Sequence, residues 1–344
     1  MQPLESRPLP EVKSEHSFGN EPDNRSFAEA LARASAAAAA ATVPAVLGAW
    51  LHHESLGSAA AFGAYLIAVT HPELPAQGFR WRLASSVVML SLGAQAGAAA
   101  GLRPWAFLPV AVLGASWQAW TEVADTGLRL PAALAVLAML LSSGNIAGDA
   151  PVGRYGLAFA VGAAWQALVL LSIARRSGSP DAAAAADWAA LAAAPARGFI
   201  VVMAALGLAA AIIVLALPVP NAVWLLTAAL RVMKPTRNHT VQRLRHRFIG
   251  TAAGAAVSGG LYVWQLPALL HAAILGFMLT VMLLIGARRY AAWTFCLTVI
   301  ALDLGARAHG AGWHPAEDRL LLTIGGLAMA LLFSRCLPRS SARP

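Results

Sequence analysis

The chain alternates long apolar runs with short polar or basic breaks. Apolar runs fall near 34–51, 58–70, 83–101, 105–122, 131–148 and 155–173. After a polar stretch over 174–197, a second set follows near 198–217, 220–233, 248–264, 267–286, 290–305 and 320–337. An apolar helix of about 20 residues crosses the ~30 Å hydrocarbon core of a bilayer. The pattern therefore predicts an all-α polytopic membrane protein of about twelve spans, arranged as two six-helix repeats. The expected organisation is an N-terminal arm (1–30), a first transmembrane repeat (31–173), a linker (174–197), a second transmembrane repeat (198–337) and a tail (338–344).

Two runs, 58–70 and 220–233, are too short to cross alone, since each makes roughly 20 Å of helix. Short helices at membrane depth are tolerated where protein surrounds them or water reaches them, and a pair in matching positions points to a transport site, a re-entrant or tilted helix without a substrate role being the alternative. The second opens with Pro218 and Pro220 and carries Asn221, Trp224 and Thr227, which are taken as path residues. Trp224 offers a flat face for a planar substrate, or an anchor at the membrane interface.

Charge orients the spans. Of 25 Lys and Arg, only Arg103, Arg154, Arg307 and Arg319 fall outside if the N-terminus is inside, which predicts cytoplasmic N and C termini. The first 27 residues hold Glu5, Glu11, Glu15, Glu21 and Asp23 without an apolar core, and read as a solvated arm rather than a signal peptide. With 58% hydrophobic and 12% charged residues, the net charge of +9 belongs to inter-span connections, so nucleic acid is a poor partner.

The two sets echo each other. His71-Pro72 precedes Arg80 and Arg82, as Lys234-Pro235 precedes Arg245 and Arg247. Gly93 and Gly97 in the first set, and Gly250 and Gly254 in the second, have the spacing of closely packed helices. An even number of spans per half predicts a parallel repeat about an axis along the membrane normal.

Among cations, Lys234, Arg243 and Arg247, with His71 and Arg82 in the first half, are candidates for the path of an organic anion; a basic inner loop is the plain alternative. Asp303 and His271 lie within apolar runs and are candidate proton carriers, a packing histidine being the alternative for His271. Asp318 and Arg319 read as a pair at a helix start. Cys296 and Cys336 have no metal-ligand spacing, and no phosphate-binding loop, zinc-protease motif or dinucleotide fingerprint is present. No catalytic residue, metal or cofactor is expected.

The run Trp224-Leu225-Leu226-Thr227, Lys234-Pro235, the arginine-bearing loop, and Arg247-Phe248-Ile249-Gly250-Thr251 leading into Gly254 resemble the fusaric acid resistance protein-like family of aromatic acid exporters. The layout of six plus six spans and the helix starts at Arg154 and Arg319 agree with it. The resemblance implies a non-enzymatic transporter in a bacterial inner membrane, exporting aromatic or other organic carboxylates with the proton gradient. It also implies a periplasmic membrane-fusion adaptor as partner; further copies of the chain are a second candidate partner. A passive anion channel and a scaffold of an envelope complex are the competing readings.

Overall fold

The computed structural model describes residues 24–70, 79–101, 103–124, 128–143, 152–176, 194–217, 219, 221–264, 267–286, 289–309 and 313–339. Most of the N-terminal arm and of the linker, and His71, lie outside the described residues. Among the described residues there are twelve α-helices and no strand. The first six are α1 (Asn24–Trp50), α2 (Glu54–Thr70), α3 (Phe79–Ala100), α4 (Pro104–Val123), α5 (Arg129–Ser143) and α6 (Val152–Arg176). The second six are α7 (Ala194–Ala216), α8 (Val223–Val232), α9 (Arg237–Val263), α10 (Ala268–Ile285), α11 (Tyr290–His309) and α12 (His314–Phe333).

Proline sets several helix starts. Pro104 and Pro315 stand in the first turns of α4 and α12, where a missing N–H costs nothing, and Pro267 caps α10. Among the described residues, five helical segments are long and apolar enough to cross a membrane by length and composition: Phe27–Trp50, Phe79–Ala100, Gly153–Arg175, Ala196–Ala216 and His314–Cys336. The chain is thus a multi-pass helical membrane protein.

The expected short helices differ from each other. The second is short, ten residues or about 15 Å in α8. The first is longer than its apolar run, because α2 begins at Glu54 and has 17 residues, about 25 Å. Glu54 complements the positive end of the helix dipole, so the helix starts before the hydrophobic signal does.

Burial separates an inner set of helices from an outer one. Nearly every residue of α5 and α8 is buried, as is α2 from Ala61 to Thr70, and α11 is buried over most of Trp293 to Asp303. These inner helices touch across the halves, α2 against α11 and α5 against α8. The outer helices turn Leu47, Leu92, Leu113, Leu168, Val201, Phe277 and Leu321 outward, the exposure expected of a lipid-facing surface. Exposed Trp50, Trp105, Trp264 and Trp313 mark the α1–α2, α3–α4, α9–α10 and α11–α12 corners.

Helix pairing repeats along the chain. In the first half α2 packs on α6 and α3 on α5 and α6; in the second α8 packs on α12 and α9 on α11 and α12. Between the halves, α4 packs on α7 and α10 on α1. Glycines stand at the tightest crossings: Gly93 and Gly97 face the carbonyls of Ala135 and Met139, and Gly250 and Gly254 face α11 at Ala291 and Thr298.

Candidate functional site

Asn221 has φ 59°, a left-handed backbone that asparagine tolerates better than most residues. Its carbonyl accepts from Trp224 N–H at 2.9 Å, and this turn launches α8 into the interior. Along α8, Trp224 and Thr227 are both buried, and the Thr227 hydroxyl donates to the Trp224 carbonyl at 3.0 Å.

Against Trp224 lies Arg319 from the second turn of α12, its guanidinium carbon 3.4 Å from the ring centroid. Arg319 is 1% exposed, and none of its three guanidinium nitrogens has a hydrogen-bond partner among the described residues. The expected pairing with Asp318 is therefore absent. Adjacent residues on a helix project about 100° apart, so Arg319 turns inward onto α8 while Asp318 does not follow it.

Arg247 on α9 is likewise 1% exposed. It donates from Nη1 to the Tyr290 hydroxyl at 3.4 Å, and its Nε has no partner among the described residues. Arg243, one turn earlier, stands 4.7 Å over the Tyr290 ring, and Arg231 of α8 stands 5.7 Å over Trp293. Tyr290 and Trp293 stack on each other, with centroids 6.1 Å apart. Tyr65 of α2 comes within electrostatic reach of Arg231 and Arg319, and its hydroxyl donates only weakly, to Met282 Sδ at 3.5 Å. Cations thus line the interior from Arg319 to Arg243 against aromatic faces. Among the described residues none of these four arginines forms an ion pair.

The carboxylates lie elsewhere. Glu122 of α4 holds Lys234 at 2.5 Å just beyond the end of α8, and Gln118 of α4 donates to the Leu230 carbonyl at 3.1 Å. Burial pulls the Lys234 ammonium below the ordinary lysine value, and Glu122 opposes the shift. Asp303 and His271 face each other across α11 and α10, with Oδ1 and Nδ1 2.5 Å apart. An open basic cleft lies at the start of α9, lined by Arg237, Asn238, Gln242, Arg245 and Arg339.

The residues singled out from sequence therefore divide. Trp224 and Thr227 lie on α8, Asn221 forms its entry turn, and Arg243 and Arg247 meet around Tyr290. Lys234 is engaged by Glu122. Arg82 is half-buried in the first turn of α3, which packs on α5 and α6 rather than within the arginine cluster. Sequence reasoning missed Arg319 and Tyr65 as members of this cluster. The one signal available was an arginine at the head of the apolar run that makes the rest of α12. Among the described residues no group of His, Cys, Asp and Glu could hold a metal ion.

No curated protein and no solved structure gives a significant match to the chain. Residues 208–333 match the family described as fusaric acid resistance protein-like, a stretch that holds Trp224, Arg231, Lys234, Arg243, Arg247 and Arg319. The second half of the chain, with its buried arginines, thus resembles the fusaric acid resistance protein-like family over these residues.

Proposed function

We propose that the protein exports organic carboxylates, aromatic ones among them, across a bacterial inner membrane, and that the anion passes the buried arginines of the second half. The observation that carries this reading is Arg319 together with Arg247: two fully buried guanidinium groups without a carboxylate partner among the described residues. Burying an unpaired charge costs several kcal/mol. Such a charge persists inside a membrane bundle where it meets a mobile counter-charge, and the guanidinium fork matches a carboxylate in shape and sign. The rings of Trp224, Trp293 and Tyr290 beside the cations suit a planar substrate.

The direction and topology form part of the proposal. Helices that alternate across the membrane bring the four corner tryptophans to one side, as an interfacial aromatic belt, and the basic cleft at Arg237 and Arg245 to the other. Cytoplasmic termini follow, with arm 1–30 and linker 174–197 inside. The matched pairings within each half support two six-helix repeats. An adaptor and further copies of the chain are the partners this reading leaves room for.

Cells lacking the protein are expected to accumulate labelled hydroxybenzoate, and the intact chain, but not Arg247→Gln, to reverse this. Unchanged accumulation in the deletion strain would defeat the reading. The largely buried His271–Asp303 pair is the proton carrier in this proposal. Asp303→Asn is expected to remove the response of transport to an imposed proton gradient in proteoliposomes. Currents that follow the carboxylate gradient alone in the unaltered protein would make it a channel.

A further inference from the structure

The glycine crossings give the two halves a common register. Gly93 meets the Ala135 carbonyl where α3 crosses α5, and Gly250 meets the Ala291 carbonyl where α9 crosses α11. Gly162 meets the Ala60 carbonyl where α6 crosses α2, and Gly326 meets the Leu225 carbonyl where α12 crosses α8. Counted from the first pair, Leu90 and Leu134 fall where Arg247 and Tyr290 stand. Counted from the second, Tyr155 and Ala59 fall where Arg319 and Trp224 stand, and Leu66 where Arg231 stands.

The first-half residues make closed, partnered contacts. Leu66, Leu90 and Leu134 are wholly buried in the hydrophobic core. Tyr155 packs with Ala59 in a small cluster of its own, and its hydroxyl meets the Ser142 hydroxyl at 3.5 Å. Arg319 and Trp224 touch at the position where Tyr155 and Ala59 touch, so the correspondence holds pairwise as well as singly. Arg247, Tyr290, Arg319, Trp224 and Arg231 thus each have a small, apolar or internally satisfied counterpart.

We infer that the protein holds one organic carboxylate per chain, in the second half, and that the first half is a closed copy of the same fold whose apolar filling excludes the anion. Arg154 and Arg82 take no part in binding, because neither falls at a position equivalent to Arg319 or Arg247. This rests on the carboxylate-transport reading and adds its count and its location.

The test is equilibrium binding of radiolabelled 4-hydroxybenzoate to the full chain in lipid nanodiscs. Saturation is expected at one carboxylate per chain. Arg319→Lys and Arg247→Lys, which keep the charge but lose the fork, are expected to weaken binding at least tenfold with an unchanged gel-filtration profile. Leu90→Met and Tyr155→Phe are expected to leave affinity within twofold. Two carboxylates per chain, or a tenfold loss on Tyr155→Phe, would overturn the inference while leaving the transport reading in place. No saturable binding by the unaltered chain would remove both.

Discussion

On the proposed carboxylate path, Arg319 sets function against stability at a single position. Its guanidinium has left water for the face of Trp224, a contact worth about 2 kcal/mol when desolvated. The loss of hydration for a charged group is several kcal/mol, so the stack does not offset it. Replacement of buried charge by an apolar side chain of similar volume stabilises some proteins by roughly 1–4 kcal/mol. Arg319→Met is therefore expected to raise the melting temperature in detergent, read from tryptophan fluorescence, while abolishing carboxylate transport. A variant both less stable and inactive would mean that Arg319 is a structural strut satisfied by groups other than a ligand.

At the scale of helices, the crossings rest on the absence of side chains at chosen points. A methyl group at Gly97 would overlap the Met139 carbonyl, and one at Gly162 the Ala60 carbonyl. Backbone cannot yield as a flexible side chain can, so Gly97→Ala and Gly162→Ala are each expected to cost about 1–3 kcal/mol. Gly260 lies in α9 with open space around its would-be Cβ, so Gly260→Ala is expected to gain about 0.5–1 kcal/mol from helix propensity alone. Thermal unfolding of the three variants in one detergent checks both signs. The apolar runs and the spacing of Gly93 with Gly97 and Gly250 with Gly254 were legible in the sequence because helical packing is periodic. Which helices are inner was not, since α5 and α12 are both apolar and only their partners differ. The Trp224–Arg319 contact joins positions far apart in the chain, and no local spacing reports it. The start of α2 was missed because an acid in a first turn reads as polar loop.

For the whole molecule the two halves must stay joined and yet move if the protein works by alternating access, and the contacts between them are mostly apolar. Lys234 with Glu122 is an ion pair that crosses from one half to the other. It lies beside Gln118, which holds the last turn of α8 to α4. Lys234 can thus be read in two ways, as a cation awaiting the substrate or as a latch closing the inner side. The two readings differ in what a charge exchange does. For a latch, Glu122→Lys combined with Lys234→Glu restores the attraction, and transport lost in each single variant returns in the double. A double-mutant cycle on thermal stability should then give a coupling of about 0.5–3 kcal/mol. For a substrate contact the exchange leaves a carboxylate at position 234 to repel the anion, so the double variant stays inactive even if its stability recovers. Glu122 holds Lys234 at 2.5 Å and burial already disfavours the ammonium, so the pair is costly to separate and suited to a latch. Rescue of transport in the double variant is the expected result, measured as labelled hydroxybenzoate flux in proteoliposomes.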